Sequence, residues 1–176
     1  MGNTMDKFMD RYESIIKTGK LLGITLTSGQ QVILSELLTL GDSLDNKRQC
    51  GLTTILSLMI VDRLINDKDK TNLFVSDSYQ MNRTVLDSVA RLLSKLDKHG
   101  KKYSYSVNRS KGSIVFTTRT HYSSIDFISS PEKLLNSLCT IDYVYVDNAR
   151  YLKKEILLSL LQGLNKKSEL YMASTG

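Results

Sequence analysis

The chain has 176 residues, 41% of them apolar and 24% charged, and carries a formal charge of +6. That balance suits one globular domain with a sizeable core and excludes a disordered or low-complexity chain. The longest apolar run, Ile55 to Val61, is broken by Ser57 and falls far short of the ~20 residues of a membrane span.

The elements follow in chain order. Met5, Phe8, Met9, Tyr12, Ile15 and Ile16 recur at spacings of three and four, the pattern of an amphipathic helix that Gly19 and Gly23 punctuate. Thr27-Ser28-Gly29 reads as a helix start, with a second helix over Gln30 to Leu40. Gly41-Asp42-Ser43 and Asp45-Asn46 read as loop, and Thr53 to Ile65 as a third, largely apolar helix. Leu73-Phe74-Val75 is a short strand that ends in Ser76-Asp77-Ser78, a helix-cap signal. A long amphipathic helix spans Val85 to Leu96. Tyr103 to Val107 and Ile114 to Thr118 flank Asn108-Arg109-Ser110-Lys111-Gly112, which predicts a hairpin. Ile125 to Ile128 predicts another strand, and Pro131 opens a short helix over Glu132 to Leu138. Ile141 to Val146 is a β-branched and aromatic run that meets Asp147. A helix over Leu152 to Leu164 and a final strand over Glu169 to Ala173 complete the chain. Strands alternating with helices predict a single α/β domain with a mostly parallel central sheet flanked by helices.

Parallel sheets carry their chemistry at the carboxyl ends of the strands, and three such places stand out. The first is Asp45-Asn46-Lys47-Arg48-Gln49-Cys50-Gly51-Leu52-Thr53-Thr54, a loop opening into a helix. A phosphate loop uses backbone amides and a helix N-terminus for the phosphates, a lysine for charge, and a hydroxyl for magnesium. Gly51 and Thr53 fit that pattern. Asn46 stands in place of its first glycine and Leu52 in place of its lysine, so the bare pattern is incomplete. The second place is the strand that delivers Asp147, the geometry of a magnesium-orienting acid. It reads equally well as a buried strand capped by a polar turn. Asn148 follows where a proton-accepting glutamate is usual, and an amide cannot take that proton. The third is Ala173-Ser174-Thr175-Gly176, a strand end rich in hydroxyls. Cys50 and Cys139 have no paired spacing, which excludes a disulfide framework and a standard zinc site. His99 and His121 stand alone and are assigned no chemistry.

Taken in order, these motifs resemble the ATPase domain of the large terminase subunit, the motor that packages DNA into tailed-phage heads. The resemblance rests most on Arg48-Gln49-Cys50-Gly51 with Thr53-Thr54, which is similar to the family's phosphate loop. Leu26-Thr27-Ser28-Gly29-Gln30-Gln31 resembles its glutamine motif, and Arg109-Ser110-Lys111-Gly112 its hairpin ahead of the Walker B strand. Ser129-Ser130-Pro131 sits at its serine-rich segment, and Ser174-Thr175 resembles its coupling motif.

The resemblance implies a phosphate-loop (RecA-like) fold that binds ATP and Mg2+. Thr53 and Asp147 would hold the metal, and Lys47 and Arg48 the phosphates, with Lys47 replacing the lysine lost at Leu52. Asn46, Gln49, Cys50, Gly51, Leu52, Thr53 and Thr54 would form the loop around the nucleotide, and Gln30 or Gln31 would read adenine. Asp147 and Asn148 would stand at the reacting end, and Ser174 and Thr175 would couple hydrolysis to movement. Asp142 lies on the same run as Asp147 but points elsewhere, and Leu135-Asn136 replaces an Arg-Gly pair usual in the family.

Residues 1–22 are expected to form an N-terminal helix and 23–176 the ATPase-like domain, without the nuclease domain that terminases add. Double-stranded DNA, the viral portal and other terminase subunits are the implied partners, with a ring on the portal and the host cytoplasm as the setting. Two alternatives stand beside this reading. One is a degenerate, non-hydrolysing module kept for assembly; the other is a different phosphate-loop protein such as a helicase fragment.

Overall fold

The computed structural model describes residues 4–46, 51–96, 103–129, 141–164 and 167–175. The elements are α1 (Thr4–Leu21), α2 (Ser28–Leu40), β1 (Asp42–Asn46), α3 (Leu52–Asn66), β2 (Thr71–Val75), α4 (Tyr79–Leu96), β3 (Tyr103–Asn108), β4 (Ser113–Thr118), β5 (Tyr122–Ile128), β6 (Tyr143–Asp147), α5 (Lys154–Gly163) and β7 (Glu169–Thr175), with a 3-10 turn over Ala149–Tyr151. The predicted helix over Glu132 to Leu138, with Pro131, Leu135 and Asn136, lies outside the described residues, as do His99 and Cys139.

Seven strands form one sheet in the order β1-β7-β6-β2-β5-β4-β3. The first five run parallel, and β4 and β3 add antiparallel at the far edge. The mostly parallel α/β sheet expected from the sequence is therefore what forms. All five residues of β6 are buried, because this strand sits between β7 and β2 with both faces covered.

Alternation along the central strands divides the core in two. Phe74, Tyr143, Tyr145 and Tyr171 join Ile15, Leu34, Leu37, Ile55, Leu56, Met59 and Val89 in the cluster formed with α1 to α4. Leu73, Val75, Val144 and Val146 pack with Ile156 and Leu160 of α5 in the other. A period of two turns successive side chains to opposite faces, so one short apolar run serves both layers.

Local chemistry explains several boundaries. Thr27 caps α2 in a reciprocal pair: its hydroxyl accepts the Gln30 N–H at 3.3 Å and its own N–H donates to Gln30 Oε1 at 3.0 Å. The helix ends at Gly41 in the left-handed region, φ 74°, whose N–H donates to the Leu37 carbonyl. The hairpin turn is tied by Asn108 Oδ1, which accepts from the Ser110 hydroxyl and the Lys111 N–H.

The segment read as loop at Asp42 to Asn46 is instead the edge strand β1, paired in parallel with β7 as Asp42↔Met172, Ser43↔Ala173 and Asn46↔Thr175. Its residues are mostly polar, which conceals a strand made by backbone pairing with partners 129 or more residues away. The helix predicted over Leu152 to Leu164 is α5, Lys154–Gly163, and a 3-10 turn over Ala149–Tyr151 precedes it.

The N-terminal helix is joined to the sheet and to α3 by polar contacts. The Arg11 guanidinium grips both carboxylate oxygens of Glu169, one through Nη2 at 2.6 Å, and Lys7 adds a third contact at 3.1 Å. Burial alone would raise the Glu169 carboxyl, but the hydrogen bonds from Arg11 and Tyr171 and the Arg11 charge hold it down to about 2. Ser14 and Thr18 donate to Oδ1 of the fully buried Asp62 at 2.8 and 2.7 Å.

Candidate functional site: the carboxyl edge of the sheet

β1, β7, β6 and β2 end side by side at one edge. Register pairs Asp147 with Ala173, Asn46 with Thr175, and Val146 with Val75. The chain leaving β1 returns at Gly51, which begins α3 in the left-handed region at φ 79° with no side-chain cap. The Gly51 carbonyl accepts from the Thr54 and Ile55 N–H groups at 2.9 and 3.1 Å, which leaves the Leu52 and Thr53 amides of this 15-residue helix without an acceptor in the helix.

Gly51 has a second reason to lack a side chain. A Cβ built there falls 2.0 Å from the Gln30 amide nitrogen, so the loop's end and the start of α2 are in direct contact. Gln30 keeps its carbonyl in the α2 cap and turns its amide nitrogen toward Gly51. Gln31 is committed internally, donating to the Leu26 carbonyl at 3.0 Å and accepting from the Tyr12 hydroxyl at 3.2 Å. Of the two glutamines expected to read adenine, the structure sets Gln30 at the loop and ties Gln31 into the α1–α2 packing.

Leu52 is 5% exposed and belongs to the core, so its side chain is withdrawn from the loop and only its backbone faces the edge chemistry. Thr53 and Thr54, both half-buried, occupy the first turn of α3. Lys47, Arg48, Gln49 and Cys50 lie outside the described residues, and Asn46 and Thr175 are described as backbone in β1 and β7.

Asp147 is 3% exposed. Burial pushes it up to about 6, the Asn148 N–H opposes that shift, and the nearby Asp77 charge adds to it. Asn148 itself adopts the left-handed conformation, φ 55° and ψ 42°. Asparagine tolerates that region better than most side chains, a backbone reason for its presence after the acid. The Ser174 hydroxyl accepts the Arg150 N–H at 3.1 Å, joining the end of β7 to the turn that follows Asp147. Asp142 lies at the opposite edge, where it accepts from Lys70 Nζ at 2.8 Å and from the Thr71 N–H at 3.0 Å.

These residues suit magnesium and a nucleotide phosphate. The donors are hard oxygens, and a buried carboxyl raised by burial favours a cation. Among the described residues no group of three or more His, Cys, Asp or Glu gathers. A metal here would thus keep water and phosphate oxygens in most of its positions, as magnesium does.

A cavity opens at the same end of β5, between the start of α4 and the hairpin. It measures about 150 Å3 and has Arg83, Arg109, Lys111 and Tyr79 over an apolar floor of Leu86 and Phe127. Arg109 pairs with Asp87 at 3.0 Å. No described helix is long and apolar enough to cross a membrane.

No family model and no curated protein sequence matches the chain. Solved structures do. The ATPase domain of the large terminase of Thermus phage P74-26 superposes with a TM-score of 0.70 at 15% identity, over 89% of this chain and 67% of that one. The large terminase of the thermophilic bacteriophage D6E in complex with ATP-gamma-S gives 0.63 at 10% identity, over 86% of this chain and 38% of that one. The UvsW helicase of bacteriophage T4 gives 0.58 at 12% identity, over 87% and 53%. The chain thus spans about two thirds of the first of these and well under half of the second. At such identities the likeness is one of fold: this chain has the architecture of phage large-terminase ATPase domains, within the wider RecA-like class that the helicase shares.

Proposed function

We propose that the chain is an ATP-binding motor domain of a DNA-packaging terminase, coupling hydrolysis to DNA movement. One observation carries the reading: the buried Asp147 carboxyl ends the central strand β6 at the same edge where Gly51 opens α3 against Gln30. The phosphates of ATP belong at the N-terminus of α3, met by its first-turn amides and by the charges of Lys47 and Arg48. The Thr53 hydroxyl and the Asp147 carboxylate hold magnesium, whose chemistry when bound is to neutralise and orient the phosphate oxygens. Asn46, Gln49, Cys50 and Thr54 complete the loop, and Gln30 reads the base. Ser174, with Thr175, carries changes in the Asp147–Arg150 turn into β7 through its bond to Arg150.

Replacing Lys47 with Ala tests the loop directly. Calorimetry with Mg2+ and ATP-gamma-S should show at least tenfold weaker binding, in keeping with loss of a charge-assisted phosphate contact. Unchanged affinity would remove Lys47 from the site.

Double-stranded DNA is the proposed track, with the portal and further terminase subunits, arranged as a ring in the host cytoplasm, as the assembly partners. The cations around the cavity at Arg83 and Lys111 support a polyanion at this end of the sheet. Replacing both with Ala should weaken DNA binding and lower the salt slope by roughly one to two. Binding with an unaltered slope would place the DNA elsewhere.

The degenerate-module reading draws on the core position of Leu52 and the amide at Asn148. It predicts no turnover by the unmodified chain, with nucleotide held as a structural ligand or not bound at all. The helicase alternative draws on the shared fold and predicts turnover stimulated by nucleic acid without any assembly partner.

A further inference from the structure

Asn148 has no basic group, and Asp142 lies at the wrong edge of the sheet. The neighbouring strand offers another acid. β2 runs parallel to β6 with Phe74 beside Tyr145 and Val75 beside Val146. Past that last pair, Ser76 and Asp147 come one residue on in each chain segment, and Asp77 and Asn148 two residues on.

The segment that carries Asp77 is anchored on both sides. Ser76 is fully buried, its N–H donates to the Ile128 carbonyl, and its hydroxyl bonds both the Ser78 carbonyl and Asn82 Oδ1. Ser78 caps α4 by accepting the Met81 N–H at 3.1 Å, so capping does not occupy Asp77. The Asp77 side chain is exposed and, among the described residues, makes no hydrogen bond or ion pair. It is close enough for its charge to act on Asp147. A carboxylate with no partner among the described residues, on an anchored backbone, close to the buried acid and two residues past the last β2–β6 pair as Asn148 is, is arranged for chemistry.

We infer that Asp77 is the carboxylate that prepares the attacking water, the task for which Asn148 is unequipped; this rests on the ATP-binding reading above. The water oxygen forms a bond to the γ-phosphorus while the bond from that phosphorus to the bridging oxygen of ADP breaks. The proton leaving the water passes to the Asp77 carboxylate and from there to solvent, and the products are ADP and inorganic phosphate. Placing the acid on β2 leaves residue 148 free to adopt the left-handed turn that follows Asp147.

The test compares the unmodified chain with D77N and D77E by calorimetry with Mg2+ and ATP-gamma-S, and by single-turnover hydrolysis of ATP. D77N should bind the analogue within about threefold of the unmodified chain and hydrolyse ATP at least ~100-fold more slowly, the usual scale of general-base loss. D77E should recover part of the rate. Hydrolysis by D77N within twofold of the unmodified chain overturns the inference and leaves the ATP-binding reading intact. So does an unmodified chain that binds the analogue and never turns over. A loss of analogue binding in D77N also overturns it, because Asp77 would then be holding ligand rather than activating water. Failure of the unmodified chain to bind removes the underlying reading, and this inference with it.

Discussion

Replacing Asp147 with Asn should make the ligand-free protein more stable at neutral pH while removing its response to magnesium and nucleotide. The native carboxyl is raised to about 6 from the ordinary 3.8 of an aspartate, so at pH 7 a buried charge is held at a cost of about 3 kcal/mol. Because the folded-state pKa lies above the unfolded one, this cost is greatest above pH 6. It fades as pH falls toward 4, where the native carboxyl is protonated first, and is gone below the unfolded pKa. Thermal unfolding of the two proteins should therefore differ most at pH 7 to 8 and converge near pH 4. The variant should also bind Mg2+ with ATP-gamma-S at least tenfold more weakly and lose hydrolysis by ~100-fold or more, since metal stabilisation of the phosphates is worth several kcal/mol. A variant that is less stable at pH 7 would mean that the carboxylate is satisfied inside the protein and has no call for a cation.

Gly51→Ala should damage the same edge from the opposite side. The left-handed φ of 79° costs a β-carbon about 1–2 kcal/mol. The added carbon also meets the Gln30 amide at 2.0 Å. Gln30 can swing away only by giving up the bond from the Thr27 N–H that closes the α2 cap, a further loss of about 1 kcal/mol. Denaturant unfolding should report a total near 2–3 kcal/mol, and affinity for Mg2+ with ATP-gamma-S should fall at least tenfold. Adding Gln30→Ala relieves the collision and leaves the backbone strain, so the double variant should cost less than the two single changes summed. Strict additivity would show that Gln30 and Gly51 do not meet.

The sequence was most legible where structure is local. The helix start at Thr27-Ser28-Gly29, the apolar α3, and the hairpin around Asn108 to Gly112 all rest on short-range rules, and all form as expected. β1 was illegible because Asp42-Ser43-Leu44-Asp45-Asn46 lacks apolar alternation, and its partner β7 is remote in sequence. Asp77 was hidden for a related reason. Within Ser76-Asp77-Ser78 it looks like one of three cap candidates, and only the parallel pairing of β2 with β6 shows that Asp77 and Asn148 each follow the last pair, Val75↔Val146, by two residues. Nor could spacing separate Gln30 from Gln31, because the distinction depends on Tyr12 and the Leu26 carbonyl engaging one of them. The polar end of α3 was also unreadable, since burying Asp62 depends on the hydroxyls of Ser14 and Thr18 from α1.

The central claim is that the carboxyl edge is a working magnesium–nucleotide site despite Leu52 and Asn148. Titrating the unmodified chain with ATP-gamma-S, with Mg2+ and again with the metal chelated, tests it most directly. The account predicts one-to-one binding with Mg2+ that weakens at least tenfold without it. No heat of binding at millimolar analogue in the presence of Mg2+ would contradict it.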